Sequence, residues 1–128
     1  MTRVAAIDCG TNSLRLLVAD LDQVTGVGVD VLRRMEIVRL GEDVDRTRRL
    51  SPEGLERTFA VLRDYRAVLD ALGADHVRMV ATSATRDAAN KAEFIAGVEA
   101  ILGAAPQVIS GADEAALSFA GATAEFGS

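Results

Sequence analysis

One cysteine, one histidine, one tyrosine, two prolines and no tryptophan stand among the 128 residues of this chain. With Cys9 alone, no intramolecular disulfide can form, which fits a reducing, cytoplasmic compartment. His76 lies far from Cys9 in sequence, so nothing recommends a cysteine–histidine nucleophile pair. Cys9 reads as a small buried hydrophobe. No apolar run reaches the roughly 18 residues needed to cross a bilayer, and Met1-Thr2-Arg3 leads into a strand without the apolar region of a signal peptide. Positive charge is also short: 14 Lys and Arg against 19 Asp and Glu leave a net charge of −5. That balance argues against a general nucleic-acid-binding surface. It does not exclude a phosphate site, which needs only local N–H groups, an arginine or two and a cation. What is present is 49% hydrophobic and 26% charged, the composition of a globular chain. The length suits one domain with a real core better than two.

The most informative stretch runs from Val4 to Val18, two apolar runs bent around Asp8-Cys9-Gly10-Thr11-Asn12-Ser13. Each run is rich in Val, Ile, Leu and Ala and has the length of a strand. Glycine at a tight turn between strands lets the backbone bring its N–H groups close to a ligand. Successive N–H groups in such a turn form a concavity suited to phosphate oxygens. Asp8, at the end of the first strand, has the chemistry to hold a hard cation such as Mg²⁺, directly or through water. An ordinary hairpin in which Asn12 and Gly10 merely turn the chain fits these residues equally well.

Further along, Asp22 to Gly26 reads as a turn, and Val27, Val29 and Val31 alternate with Gly28 and Asp30, the pattern of a half-buried strand. The first forty residues are thus a three-stranded antiparallel meander. Arg39 to Leu50 is charged and reads as a solvated connecting loop, the alternative being that its arginines meet a polyanion. Ser51-Pro52 starts a helix, serine as N-cap and proline in the first turn, which Gly73 closes after about six turns. Val77 to Ala81 is a short, buried parallel strand. The hydroxyl residues Thr82, Ser83 and Thr85, followed by alanines, read as the N-capped start of the next helix. Arg86 in its first turn opposes the helix dipole, so it either serves a ligand or pairs with Asp87 or Glu93. Phe94, Ile95, Val98, Ile101 and Leu102 give another amphipathic helix, which Gly103 ends. Pro106 to Ile109 is a fifth strand. Ser110-Gly111-Ala112-Asp113 has capping-box form and opens a small-residue helix to about Ala124, with Glu114 in its first turn. The order β-β-β-α-β-α-β-α predicts an α/β fold with a mixed five-stranded sheet and helices on both faces.

Three segments together resemble one family: Ala6 to Leu16; Val80 to Ala88, with Asn90 and Phe94 beyond it; and Val108 to Leu117. They are similar to the exopolyphosphatase and guanosine pentaphosphate phosphohydrolase family, as are Val38-Arg39-Leu40-Gly41-Glu42 and Arg49-Leu50-Ser51. The resemblance spans essentially the whole chain. It implies a ribonuclease H-like domain of the sugar kinase, Hsp70 and actin (actin-like ATPase) superfamily. The implied activity is Mg²⁺-assisted release of terminal phosphate from inorganic polyphosphate or guanosine pentaphosphate. By motif, the resemblance makes Gly10, Thr11, Asn12 and Ser13 the first phosphate loop and Asp8 a metal or water ligand. Arg86 becomes a phosphate contact near the hydroxyls of Thr82 and Ser83. Glu114 becomes the catalytic glutamate that orients and deprotonates water. Arg15 stands where some members touch substrate; a strand residue with a solvated head is the alternative.

Two departures from the family pattern matter. The family commonly has Glu-Glu-Ala-Arg-Leu where this chain has Asp113-Glu114-Ala115-Ala116-Leu117, so a basic group is lost at Ala116. The family's second glycine-rich phosphate loop, which belongs on the next strand, is missing. The expectation is therefore residues 1–128 as the N-terminal domain of a larger enzyme, with weak or no hydrolysis alone. A homodimer of the full-length protein is compatible with the resemblance. Two competing readings are a sugar-kinase-type phosphotransferase of the same superfamily and a non-catalytic polyphosphate- or alarmone-binding module.

Overall fold

Near-continuous apolar runs form β1 (Thr2–Cys9) and β2 (Ser13–Leu21), which pair antiparallel in full register from Thr2 with Leu21 to Cys9 with Leu14. The computed structural model describes residues 2–22, 24–42, 44–74, 76–81 and 88–108. Adding β3 (Gly28–Ile37), β4 (His76–Ala81) and β5 (Gln107–Val108) gives a five-stranded sheet in the order β3-β2-β1-β4-β5. The first three strands form the expected antiparallel meander, and β4 and β5 extend it in parallel from β1. The turn before β3 pivots on Gly26 at φ 74°, with the Asp22 carboxylate accepting the Val24 N–H at 2.9 Å. The central strand is buried on both faces. Ala5, Ile7 and Cys9 join the main hydrophobic cluster, and Val4 and Ala6 are buried on the other side. That double burial explains why β1 shows no polar alternation until Asp8.

The valines ahead of and within β3 do not behave as their alternation predicts. Val27, Val29 and Val31 remain 61%, 56% and 37% exposed, because β3 is an edge strand and a bulge opposite Val18 and Ala19 breaks its register. The charged stretch after it is not wholly loop either. It holds one helical turn, α1 (Val44–Thr47), seated by buried Val44.

The long helix α2 (Pro52–Leu72) has the caps its sequence announces. Ser51 Oγ accepts the Gly54 N–H at 2.9 Å, and Gly73 ends the helix at φ 68°. Leu55, Thr58, Leu62, Tyr65 and Leu69 line its buried side. Tyr65 thus belongs to the buried side itself. Phe59 stacks on Phe94 of α3 (Lys91–Leu102), ring centroids 6.4 Å apart. A turn at Ala89 and Asn90 precedes α3, so the amphipathic positions from Phe94 to Leu102 lie on a helix that begins at Lys91; the hydroxyl residues read as a helix start lie outside the described residues, and Gly103 closes α3 as expected. Asn90 does not cap it with a side-chain bond. Its amide is committed instead to the Leu50 backbone, accepting from Leu50 N at 2.8 Å and donating to Leu50 O at 3.0 Å. α2 and α3 supply Leu55, Leu62, Leu69, Phe94 and Val98 to the same cluster as one face of the sheet. The helix read from Ser110 to Ala124 lies outside the described residues. Among the described residues no helix is long and apolar enough to cross a membrane.

Gly54 is where α2 meets the segment after β3. A Cβ there would lie 2.9 Å from Ser51 Oγ and 3.3 and 3.4 Å from the carbonyl oxygens of Arg39 and Leu40. Backbone carbonyls retreat less easily than side-chain tips. Gly54→Ala is expected to lower stability by about 1–2 kcal/mol, although alanine is the better helix former. Urea unfolding measures this; equal or greater stability would show that the contact gives way.

Candidate functional site

The turn between β1 and β2 closes with one backbone bond, from Gly10 N–H to Ser13 O at 2.9 Å. Its carbonyls are then taken by the segment after β3. Asn12 O accepts the N–H groups of Val38 at 2.8 Å and Arg39 at 2.9 Å, and Thr11 O accepts that of Gly41 at 2.8 Å. In a planar trans peptide the N–H lies opposite the preceding carbonyl. Pinning Thr11 O and Asn12 O therefore turns the N–H groups of Asn12 and Ser13 away from this segment. Among the described residues, neither Thr11 nor Asn12 donates a backbone hydrogen bond. Both residues are exposed. The turn is built to offer donors, as an anion-binding concavity requires.

The segment that holds the turn is itself held. Arg57, on α2, donates from Nε to Val38 O at 2.8 Å, and its guanidinium pairs with Glu42 at 2.9 Å. Beneath the turn, the buried Tyr65 hydroxyl reaches Leu14 O at 2.9 Å and also bonds the Glu36 carboxylate. Glu36 pairs with Arg34 at 2.8 Å, and the Arg34 guanidinium lies 5.5 Å from the Tyr65 ring centroid. Burial, then the neighbouring Glu36, pushes the Tyr65 phenol well above its usual range, so it stays a neutral hydroxyl.

Asp8 is one residue before Cys9 and points to the opposite face of the sheet. Cys9 is 1% exposed within the hydrophobic cluster, as the sequence reading expects of it. Asp8 Oδ1 is buried and has no hydrogen-bond partner among the described residues. Its cross-strand neighbours are Arg15 on β2 and Val80 on β4. Burial raises the Asp8 pKa, and the Arg15 charge only partly offsets this. Arg15 is exposed. A buried, unpartnered carboxylate oxygen suits a cation. Among the described residues no group of three or more His, Cys, Asp or Glu gathers. Magnesium held by one carboxylate, waters and phosphate oxygens needs no such group.

Asp8, Gly10, Thr11, Asn12, Ser13 and Arg15 are thus brought to one end of the sheet. Thr82, Ser83, Arg86 and Glu114 lie outside the described residues. The described ends of their segments, however, reach the same edge: Cys9 pairs with Ala81, and Ala81 pairs with Val108. The carboxyl ends of parallel strands are where open α/β sheets bind ligands. Sequence reading passed over Arg57, Tyr65 and Glu36, whose roles depend on contacts 15 to 51 residues away in the chain.

The meander, the two parallel strands that extend it and the donor-bearing turn at their common edge define a ribonuclease H-like domain. Residues 17–128 match the Ppx/GppA phosphatase family. The chain belongs to that family. Exopolyphosphatase 2 of Mycobacterium tuberculosis is 52% identical over 135 aligned positions, covering 100% of this chain and 42% of that protein. The crystal structure of an exopolyphosphatase-like protein superposes with a TM-score of 0.85 at 47% identity, over 92% of this chain and 36% of that one. The Aquifex aeolicus Ppx/GppA family member gives a TM-score of 0.80 at 36% identity, over 88% and 36%. The chain therefore spans about two-fifths of the length of these relatives.

Because burial raises the Asp8 pKa, the folded chain binds that proton more tightly than the unfolded chain. Its penalty on stability is absent below the ordinary carboxylate range and grows as pH rises through the raised value. Asp8→Asn is expected to raise the thermal midpoint at about pH 7 and to leave it close to wild type at about pH 3. Paired melts check this, and an equal midpoint at neutral pH would contradict the buried-charge account.

Proposed function

We propose that this chain is the N-terminal, first phosphate-binding domain of a hydrolase that releases terminal phosphate from inorganic polyphosphate, guanosine pentaphosphate or both. The observation that carries this is the buried Asp8 Oδ1, without a hydrogen-bond partner among the described residues, beside a turn in which neither Thr11 nor Asn12 donates a backbone hydrogen bond among those residues. Family membership and the common edge of β1, β4 and β5 support it.

In this reading the Gly10-Thr11-Asn12-Ser13 turn receives the oxygens of the terminal phosphoryl group. Arg15, Thr82, Ser83 and Arg86 add cationic and hydroxyl contacts. Hydrolysis of the anhydride asks mainly for alignment and for stabilisation of charge on the transferring group. Fixed N–H groups and arginines supply both. Glu114 takes the proton of the attacking water as its oxygen bonds to phosphorus. The phosphorus–oxygen bond to the rest of the chain breaks, and the shortened polyphosphate or guanosine tetraphosphate departs with the electron pair. Asp8 is the residue that would hold Mg²⁺, which when bound supplies positive charge to phosphate oxygens. The share of the relatives' length that the chain spans supports one domain of two, with the second phosphate loop on the other wall of the cleft. The 128 residues alone are then expected to hydrolyse weakly or not at all.

Phosphate release by the full-length protein, measured with polyphosphate and guanosine pentaphosphate in parallel, tests the proposal. Glu114→Ala is expected to lower kcat by about 10²–10⁴-fold with tight binding retained. Wild-type turnover in that variant would remove Glu114 as the base. Phosphate transfer only to a sugar would favour a kinase, and binding without any release would favour a non-catalytic module.

A further inference from the structure

Arg39 sits in a conformation its residue type disfavours. Its φ is +51°, in the left-handed region that glycine or asparagine holds at lower cost. Both sides of the residue are tied down. Its N–H donates to Asn12 O at 2.9 Å, while Arg57 donates to the carbonyl oxygens of Val38 at 2.8 Å and Arg39 at 3.3 Å. The ties run directly to the phosphate turn, so the Arg39 backbone is one hydrogen bond from Asn12. Strain kept in place by such ties is commonly found where a side chain has work to do.

The side chain has the means. Arg39 is exposed, and among the described residues its guanidinium makes no ion pair and no hydrogen bond. With Ile37, Glu42 and Arg57 it lines a cleft of about 320 Å³. Ile37 is the cross-strand partner of Ser13, so the cleft adjoins the last residue of the turn. Within it, Arg57 is neutralised by Glu42 at 2.9 Å. Among the described residues that line it, the positive charge left over belongs to Arg39. A planar guanidinium with its donors uncommitted suits a phosphoryl group, which it can grip through two parallel bonds.

We propose that Arg39 is a specificity-determining contact for linear oligophosphates, taking an internal phosphoryl group in this cleft while the turn holds the terminal one. The inference rests on the phosphohydrolase reading above and extends its substrate site. Such a contact is made alike before and during the reaction, so its loss raises KM and leaves kcat nearly unchanged.

The test uses the full-length protein, with tripolyphosphate and long-chain polyphosphate as substrates. Arg39→Gly removes the guanidinium and relieves the backbone at once. Its KM for tripolyphosphate is expected to rise about tenfold with kcat within about twofold of wild type and the melting temperature unchanged or higher. Arg39→Lys, which keeps the charge but not the fork, is expected to recover part of the loss. Three outcomes overturn the proposal. An unchanged KM in Arg39→Gly, while Arg15→Ala raises it, removes Arg39 and leaves the phosphohydrolase standing. A KM rise accompanied by a lower melting temperature in Arg39→Gly assigns the residue a structural role. Failure of the wild-type protein to release phosphate from either polyphosphate or guanosine pentaphosphate removes both readings together.

Discussion

Three hydrogen bonds hold the site together: from Val38 and Arg39 to Asn12 O, and from Gly41 to Thr11 O. Without them the β1–β2 turn would be a loop closed by a single bond, free to rotate its peptide planes. With them, the carbonyls are spent on protein and the N–H groups face outward. Phosphate binding by backbone donors requires this prior sorting, because an anion meets repulsion from any carbonyl that shares its concavity. The ties extend well past the turn. The Val38-to-Gly41 segment rests on α2, where Gly54 permits close approach to the carbonyls of Arg39 and Leu40 and Arg57 binds those of Val38 and Arg39. Asn90 and Ala89 then join the loop after α1 to the start of α3, through bonds to Leu50 and Arg48. The helices thus determine the turn as much as the strands do.

The two faces of β1 divide the labour. Ala5, Ile7 and Cys9 pack against α2 and α3, and Cys9 brings its sulfur into the core rather than into chemistry. Val4 and Ala6 are equally buried on the other face, and Asp8 continues their row. A carboxylate at the end of an apolar row is poorly solvated, as the raised pKa of Asp8 reflects. Arg15 opposite compensates only in part, because it is itself exposed and screened. In the proposed site a divalent cation would balance this carboxylate and keep positive charge for phosphate oxygens, which a proton would not. The same burial that destabilises the free carboxylate thereby favours the liganded state.

Local signals account for what could be read ahead of the fold. The apolar runs of β1 and β2, the Ser51-Pro52 start of α2 and the glycine stops at Gly73 and Gly103 all work through neighbouring residues, and all appear as expected. Features set by distant partners were not legible. The exposure of Val29 and Val31 follows from the edge position of β3, which no alternation pattern encodes. The Asn90 side chain would make an ordinary N-cap by sequence, and instead bonds a backbone 40 residues away. No neighbouring residue marks a role for the Tyr65 hydroxyl. Only the fold brings its hydroxyl under Leu14 and beside Glu36.

Arg39 combines both kinds of information. Its charge is visible in the sequence, yet in a stretch holding Arg46, Arg48 and Arg49 as well, a solvated loop is the simpler account. What separates it from those neighbours is geometry. Arg48 shares the positive φ, at 60°, but its carbonyl serves the Ala89 tie to the α3 end of the fold. Arg39 is bound to the β1–β2 turn and lines the adjoining cleft. The fold therefore converts one of several equivalent loop charges into a directed one. Its cost in backbone strain is met by bonds that also align the turn, so positioning the cation and sorting the turn's donors and acceptors are parts of a single construction.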